Sequence, residues 1–141
     1  MIRWIAAALF FGGCAQTVSI IPVTTTQRSV MTIVRLALEN DAADVTSDSL
    51  YSASATIVIN GSEHTTGKRF AGVGPAGFIR ISSMSGDAME RLAWAYVAYR
   101  WMSPDGAMTQ SARASFVLNL ENGAWRIKHA HSSLILPWQR G

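Results

Sequence analysis

The chain has 141 residues, of which 49% are hydrophobic and 15% are charged, so it is long enough and apolar enough to bury one core. Its 12 basic and 9 acidic residues leave a formal charge of +3, and no basic cluster gathers that charge into a stripe. This composition argues against disorder outside the chain ends and against a nucleic-acid-binding protein.

The N-terminal segment joins one basic residue to an apolar stretch, two small residues and the single cysteine (MIRWIAAALFFGGCAQ, residues 1–16). The apolar stretch is too short to span a bilayer. The segment resembles a bacterial lipoprotein signal, which implies cleavage before Cys14 and a lipid on Cys14 itself. Such a protein is anchored by its acyl chains in the cell envelope, and Ala15 after the cysteine favours the outer membrane, facing the periplasm. The alternative is an uncleaved hydrophobic helix with a buried free thiol.

A tether and a long helix are predicted next. Residues 14–27 are rich in threonine and carry no charged side chain, so we expect them to form an extended, lipid-bearing tether. The tether would join a signal segment at 1–13 to a single domain at 28–141. Thr26 is the predicted N-cap of an amphipathic helix that ends near Asn40-Asp41. Its apolar stripe recurs at helical spacing through Val30, Ile33, Val34, Ala37 and Leu38.

The remaining pattern predicts an α+β domain. A second short helix is expected over 43–51 and a strand over 53–60, which Asn60-Gly61 closes with a turn. The glycine-rich stretch 61–77 favours a loop or hairpin, and a short helix is expected over 76–83. Asp105-Gly106 and Asn122-Gly123 are strong hairpin signals. They separate three predicted strands, at 91–103, 108–120 and 124–136.

The last of these strands combines apolar residues with two imidazoles. Strict alternation would place Trp125, Ile127, His129 and His131 on one face. Histidine is the side chain that ordinarily changes charge near neutral pH. The pattern therefore predicts the wall of a pocket, with an apolar floor and two groups able to exchange protons.

The order helix, short helix, strand and long meander resembles the nuclear transport factor 2-like superfamily, and within it the SnoaL-like and ketosteroid-isomerase-like small domains. Residues 94–133 carry the resemblance most strongly, through the PDG turn, FVLNLENG and WRIKHAHSS; residues 28–60 carry it more weakly. It implies a cone-shaped, cystatin-like fold, in which a bent antiparallel sheet wraps a long N-terminal helix and leaves a cavity at the open end. It also implies a homodimer through the outer sheet face.

The chain departs from the ketosteroid isomerase pattern. Those enzymes use a catalytic aspartate with a tyrosine and a protonated aspartate as oxyanion donors, and that set has no counterpart here. Ser54 stands where many relatives have an acidic residue, and the strands predicted at 91–103 and 108–120 contain no carboxylate. An isomerase of this kind is therefore disfavoured.

Candidate site residues follow from the predicted pocket. His129 and His131 are the candidate general acid/base pair; the alternative is a structural or solvent-facing role. Tyr51, Trp94 and Tyr96 would supply an apolar pocket wall with polar tips. The alternative is that these aromatic side chains belong to the hydrophobic core. Arg113 would bind a carboxylate at the cavity mouth, or else lie on a solvated face. The predicted ligand-binding set is therefore Tyr51, Trp94, Tyr96, Arg113, His129 and His131.

Other chemistry has weaker support in the sequence. Asp44 is a reserve candidate for a base near the cavity mouth. We expect no metal site, because two strand histidines would need a third ligand from distant His64 or from an acid. No cofactor is expected either.

Two functions compete. The first is a lipid-anchored envelope domain that binds a small, mostly apolar molecule, with or without slow acid/base chemistry. The second is a non-catalytic module that dimerises or joins an envelope complex. The second follows from the aromatic residues on both faces of the strand at 91–103, which are more than one core needs. The sequence leaves open whether the protein is an enzyme.

Overall fold

The computed structural model describes residues 24–139. One long helix packs against a six-stranded sheet of order β2-β1-β6-β5-β4-β3. The elements are α1 (Thr25–Ala42), β1 (Tyr51–Ile59), β2 (Ser62–His64), β3 (Phe78–Met89), β4 (Leu92–Met102), β5 (Thr109–Glu121) and β6 (Ala124–Leu134), with single 3-10 turns at Asp48–Leu50 and Pro137–Gln139.

The sheet is mixed, because β1 and β6 run parallel while its other neighbouring strands pair antiparallel. The α+β prediction is confirmed, and so are the three hairpin-linked strands, which begin and end within two residues of the predicted positions.

Within residues 24–139, no helix is both long enough and apolar enough to cross a bilayer.

Thr24, rather than the predicted Thr26, is the N-cap of α1. Its hydroxyl accepts a hydrogen bond from the Gln27 backbone N–H at 3.1 Å, and the Gln27 side chain accepts one from the Thr24 N–H at 2.8 Å. This reciprocal capping box satisfies two of the free N–H groups at the helix start. The predicted apolar stripe is confirmed, with Val30 and Leu38 at its two ends almost completely buried.

The predicted second helix over 43–51 is wrong, apart from the 3-10 turn Asp48–Leu50. Asp44 adopts a left-handed backbone conformation with φ of 57°, which ends helical hydrogen bonding. The run of Asp, Ser and Thr that follows has no apolar stripe that packing against the sheet could stabilise.

The predicted short helix over 76–83 is also wrong, because this segment enters β3. β3 pairs antiparallel with β4 from Phe78 to Met89, so four long strands rather than three form the meander. A bulge at Ser82 breaks the alternation of β3, and this explains why its sequence lacks a clear strand period.

Large side chains fill the space between α1 and the inner sheet face, which we call the cone interior. Phe70, Tyr99, Trp101 and Phe116 are each at most 2% exposed and belong to one core cluster. The Phe70 and Phe116 ring centroids lie 5.5 Å apart. Phe70 comes from the loop at 65–77, which folds inward. The family resemblance implied a cavity in this space, but buried side chains of the core cluster occupy it.

Candidate functional site

A β-bulge in β6 determines where the two histidines point. The pairing of β6 with β5 skips one residue, Lys128, and this reverses the alternation. Ile127 is consequently buried, whereas His129 is partly buried and His131 exposed on the opposite, outer face. The prediction that Trp125, Ile127, His129 and His131 share one face is wrong for this reason.

The outer sheet face carries exposed apolar side chains beside these histidines. Trp94 is 51% exposed and Tyr96 38% exposed, although both lie within a central strand. In cross-strand order the two central rows are Asp87-Trp94-Val117-His129-Thr56 and Ser85-Tyr96-Ser115-His131-Val58. We define the outer patch as Leu92, Trp94, Tyr96, Val117, His129 and His131.

The structure brings most of the predicted ligand residues together, but on the outer face. Arg113 is exposed and lies in the row next to Tyr96 and His131, opposite Ala98. Trp94, Tyr96, His129 and His131 form the centre of the same surface. Tyr51 stands apart, because it packs against the core cluster on the inner side of β1. These residues therefore line a sheet surface rather than an enclosed pocket.

A second polar cluster, which sequence analysis missed, lies where α1 ends. The Asp41 carboxylate is buried, and both of its oxygens accept a hydrogen bond from the Arg69 backbone N–H, at 3.1 and 3.0 Å. The Asp41 carbonyl oxygen accepts from Lys68 Nζ. Burial raises the pKa of Asp41 above its ordinary value, and the hydrogen bonds and nearby cations offset this only in part. Asp41 thus fastens the inward-folded loop to the helix.

Arg69 extends this cluster towards β1. Its guanidinium lies over the Tyr51 ring, with Cζ 4.3 Å from the ring centroid, and its Nη2 pairs with Asp48. Arg69 Nη1 and the Tyr51 hydroxyl are both buried; neither makes a well-aligned hydrogen bond, but the Arg69 guanidinium and the Tyr51 hydroxyl interact with each other. Burial raises the pKa of Tyr51 well above its ordinary value, so its hydroxyl keeps its proton and remains a donor.

A cleft of about 410 Å³ opens beside Tyr51 and Arg69, between β1 and the chain that follows β2. Its floor is apolar and comes from β1, and its rim is polar. Tyr51, Ala53, Ala55, Ile57, Glu63 and Arg69 are among the residues that line it.

Asp44 lies outside the lining of this cleft. Its carboxylate pairs with Lys68 Nζ at 2.6 Å and accepts a hydrogen bond from the Ala76 N–H. These contacts lower the pKa of Asp44, so the carboxylate is ionised and already engaged rather than free to act as a base.

No metal cluster forms within residues 24–139, where no three His, Cys, Asp or Glu side chains converge. His64 is opposite Ile57, whose side chain is buried on the inner side, while His129 and His131 lie on the outer face. The three histidines therefore do not meet.

Solved structures share this architecture. The chain is similar to an NTF2-like protein of unknown function from Pseudomonas putida KT2440, with 14% identity over 85% of this chain and 96% of that one and a TM-score of 0.60. It is similar as well to a protein of unknown function with a cystatin-like fold from Nostoc punctiforme, with 12% identity over 84% of this chain and 99% of that one and a TM-score of 0.63. The chain is also similar to a putative Ca/calmodulin-dependent kinase II association domain from Exiguobacterium sibiricum. The identity is 13% over 83% of this chain and 98% of that one, and the TM-score is 0.55. The molecule thus has the NTF2-like, cystatin-like fold.

The family follows from the sequence itself. The model of the SnoaL-like domain matches residues 49–137, which is more than half of the chain. The protein therefore belongs to the SnoaL-like domain family, and the predicted resemblance is confirmed. No protein of curated function matches it.

Proposed function

We propose that this protein is a non-catalytic interaction module that forms a homodimer through the outer patch. One observation carries the proposal: Trp94 and Tyr96, which could line a pocket, instead lie exposed on the outer face of the sheet, while large side chains fill the cone interior. The fold likeness to a putative association domain is compatible with such a role.

The outer patch has the composition of a protein interface. Its centre is apolar and aromatic, with Trp94, Tyr96 and Val117 adjacent on neighbouring strands. Arg113 and Asp87 lie at its margin. An apolar centre inside a polar rim is typical of protein–protein contacts, in which Trp and Tyr contribute most of the binding energy. A twofold dimer would cover this centre with the same surface of a second copy.

The position of the histidines favours an interface role over catalysis. His131 is exposed, and its Nε2 lies 3.5 Å from Ser133 Oγ. His129 lies between Val117 and Thr56 on the same open face. A general base works best in an enclosed site that excludes water and holds the substrate in reach. An open sheet face supplies neither condition.

Trp94→Glu is expected to convert the dimer to a monomer. Each protomer would place a carboxylate in the apolar centre, so we expect the dimer to lose at least about 3 kcal/mol, which raises its Kd roughly 100-fold. Sedimentation velocity over a concentration series measures this. Val45→Glu is the matched control, because Val45 is 53% exposed but lies in the loop after α1. A monomeric wild type, or equal Kd values for wild type and Trp94→Glu, would contradict the proposal.

We further propose that a lipid on Cys14 holds the module at the bacterial cell envelope. The support is the sequence of residues 1–16, and Cys14 lies outside the described residues. Cys14→Ser is expected to abolish incorporation of a labelled fatty acid, which radiolabelling or click detection after immunoprecipitation measures. The double variant Cys14→Ser/Ser19→Cys is the control, because it keeps one thiol away from the signal position. An unlabelled wild type, or label on the double variant, would contradict lipidation at Cys14.

A further inference from the structure

Three large apolar side chains are exposed at one end of the sheet. Phe78, Met108 and Trp138 are each more than half exposed to solvent. Phe78 begins β3 and Met108 immediately precedes β5, and both strands pair there with the C-terminal end of β4. β6 leads to the same end, because the N–H of Ile135, three residues before Trp138, donates to the carbonyl of Ser111 in β5 at 2.8 Å. We define the sheet end by Phe78, Met108 and Trp138.

Three arginines lie beside the sheet end on the outer face. Arg80 of β3 is directly opposite Arg100 of β4, and Arg113 of β5 is a diagonal neighbour of Arg100. Cross-strand neighbours of these two kinds lie about 5 to 8 Å apart. All three side chains are exposed, and none forms an ion pair with a described residue. They are far apart in sequence, so only strand pairing gathers them into one basic cluster.

The basic cluster lacks a counter-charge of its own. Like charges directly opposite each other destabilise a sheet, so an anion at this position would relieve their repulsion. Asp105 is the carboxylate in the turn that joins β4 to β5. Its Oδ1 accepts hydrogen bonds from Ser103 Oγ at 2.5 Å and from the Ala107 N–H at 3.0 Å, and these bonds lower its pKa. Asp105 is therefore ionised and engaged within its own turn, and it offsets at most one of the three positive charges.

Exposed apolar side chains next to a basic cluster fit the surface of an anionic bilayer. Such a surface attracts arginine through its headgroups, and aromatic side chains bury in the boundary between headgroups and acyl chains. A soluble polyanion would use the arginines but leave the apolar side chains in water. We propose that the sheet end docks on a lipid bilayer that carries anionic headgroups, with its three apolar side chains in the interface and the basic cluster against the headgroups. The sheet end lies beyond the outer patch, so docking does not require the proposed dimer.

The docking does not depend on the proposed lipid on Cys14, but the two are compatible. α1 begins near the opposite end of β3, since Gln27 Nε2 donates to Asp87 Oδ1 at 2.9 Å. The helix has 18 residues and is therefore about 27 Å long. Residues 14–23, when extended, span up to about 33 Å. The tether is thus long enough for Cys14 and the sheet end to reach one bilayer.

Cosedimentation with vesicles tests the docking. Full-length protein carrying Cys14→Ser, which prevents acylation, is mixed with vesicles of phosphatidylcholine alone or with about 30% phosphatidylglycerol, and the anionic vesicles should bind it at least about tenfold more strongly. Adding Arg80→Gln and Arg100→Gln should weaken binding to the anionic vesicles at least about tenfold. Adding Arg35→Gln and Arg91→Gln is the matched control, because it removes the same charge from α1 and from the opposite end of the sheet; binding should not change.

The apolar part of the surface is tested separately. Phe78→Ala with Trp138→Ala should weaken binding to the anionic vesicles at least about tenfold, because both rings leave the interface. Met89→Ala is the control, since Met89 is exposed at the other end of β3. In bicelles that contain a spin-labelled lipid, the backbone amide signals of Phe78 and Met108 should broaden more than that of Met89. The proposal is overturned if both kinds of vesicle bind the Cys14→Ser protein equally or not at all, if either the arginine or the aromatic double variant binds undiminished, or if Met89 broadens most.

Discussion

Phe70→Ala is expected to lower the free energy of unfolding by about 4 kcal/mol. Phe70 is 2% exposed, and its ring packs on Phe116 within the core cluster. Truncation removes the transfer free energy of the ring and leaves a void that the surrounding strands cannot fully close. Urea denaturation at neutral pH measures the change, provided that the slope with denaturant concentration stays constant.

Phe78→Ala is the matched control for that experiment. Phe78 is 60% exposed at the start of the edge strand β3, so its loss should change stability by less than about 0.5 kcal/mol. The Phe70 variant should also gain stability from dissolved benzene, because an enclosed apolar void stays dry and accepts apolar ligands. Similar small losses in both variants would mean that Phe70 does not fill the cone interior.

The parts of the fold that were predictable are those in which local chemistry and packing agree. Helical spacing of apolar residues marks α1, and Asn122-Gly123 adopts the positive φ values of 50° and 80° that favour these residue types in a tight turn. β3 was not predictable in the same way. Its bulge at Ser82 disrupts the period-two pattern, and its position depends on pairing with β4 rather than on its own sequence.

The candidate site was less predictable, because a single inserted residue in β6 decides on which face of the sheet His129 and His131 lie. Lys128 is the extra residue of the β6 bulge, and nothing in the alternation of WRIKHAHSS reveals it. The aromatic spacing in β4 was more informative: Tyr96 and Tyr99 are three residues apart, so one lies outside and the other inside. That spacing correctly indicated aromatic side chains on both faces of the strand.

The polar cluster at the end of α1 depends on contacts between residues far apart in sequence. Asp41 and Arg69 are 28 residues apart, and the loop that brings them together has no regular secondary structure. An aspartate near a helix end is most simply interpreted as a solvated cap, so the sequence provides no signal that this carboxylate is buried. Burial and backbone pairing of Asp41 become visible only with the tertiary structure.

Gly77→Ala is expected to destabilise the protein by about 3 kcal/mol or more. A Cβ at this position would lie 2.3 Å from Trp101 Nε1 and 2.5 Å from the Met102 carbonyl oxygen. The chain cannot readily move away, because the Gly77 N–H donates to the Ala42 carbonyl at 2.8 Å and the Trp101 ring is 2% exposed. The methyl group must therefore displace a buried indole or break the entry into β3.

Gly67→Ala separates this steric cost from the cost of backbone conformation. Gly67 has φ of 78°, and a Cβ added there would have no heavy atom within 4 Å, so alanine meets only left-handed strain, about 1 kcal/mol. Thermal and urea unfolding of both variants compares the two costs. If Gly77→Ala costs no more than Gly67→Ala, close packing on Trp101 is not what requires glycine. If Gly77→Ala costs about three times as much as Gly67→Ala, then Gly77 is required because the inward-folded loop packs directly on the Trp101 ring there.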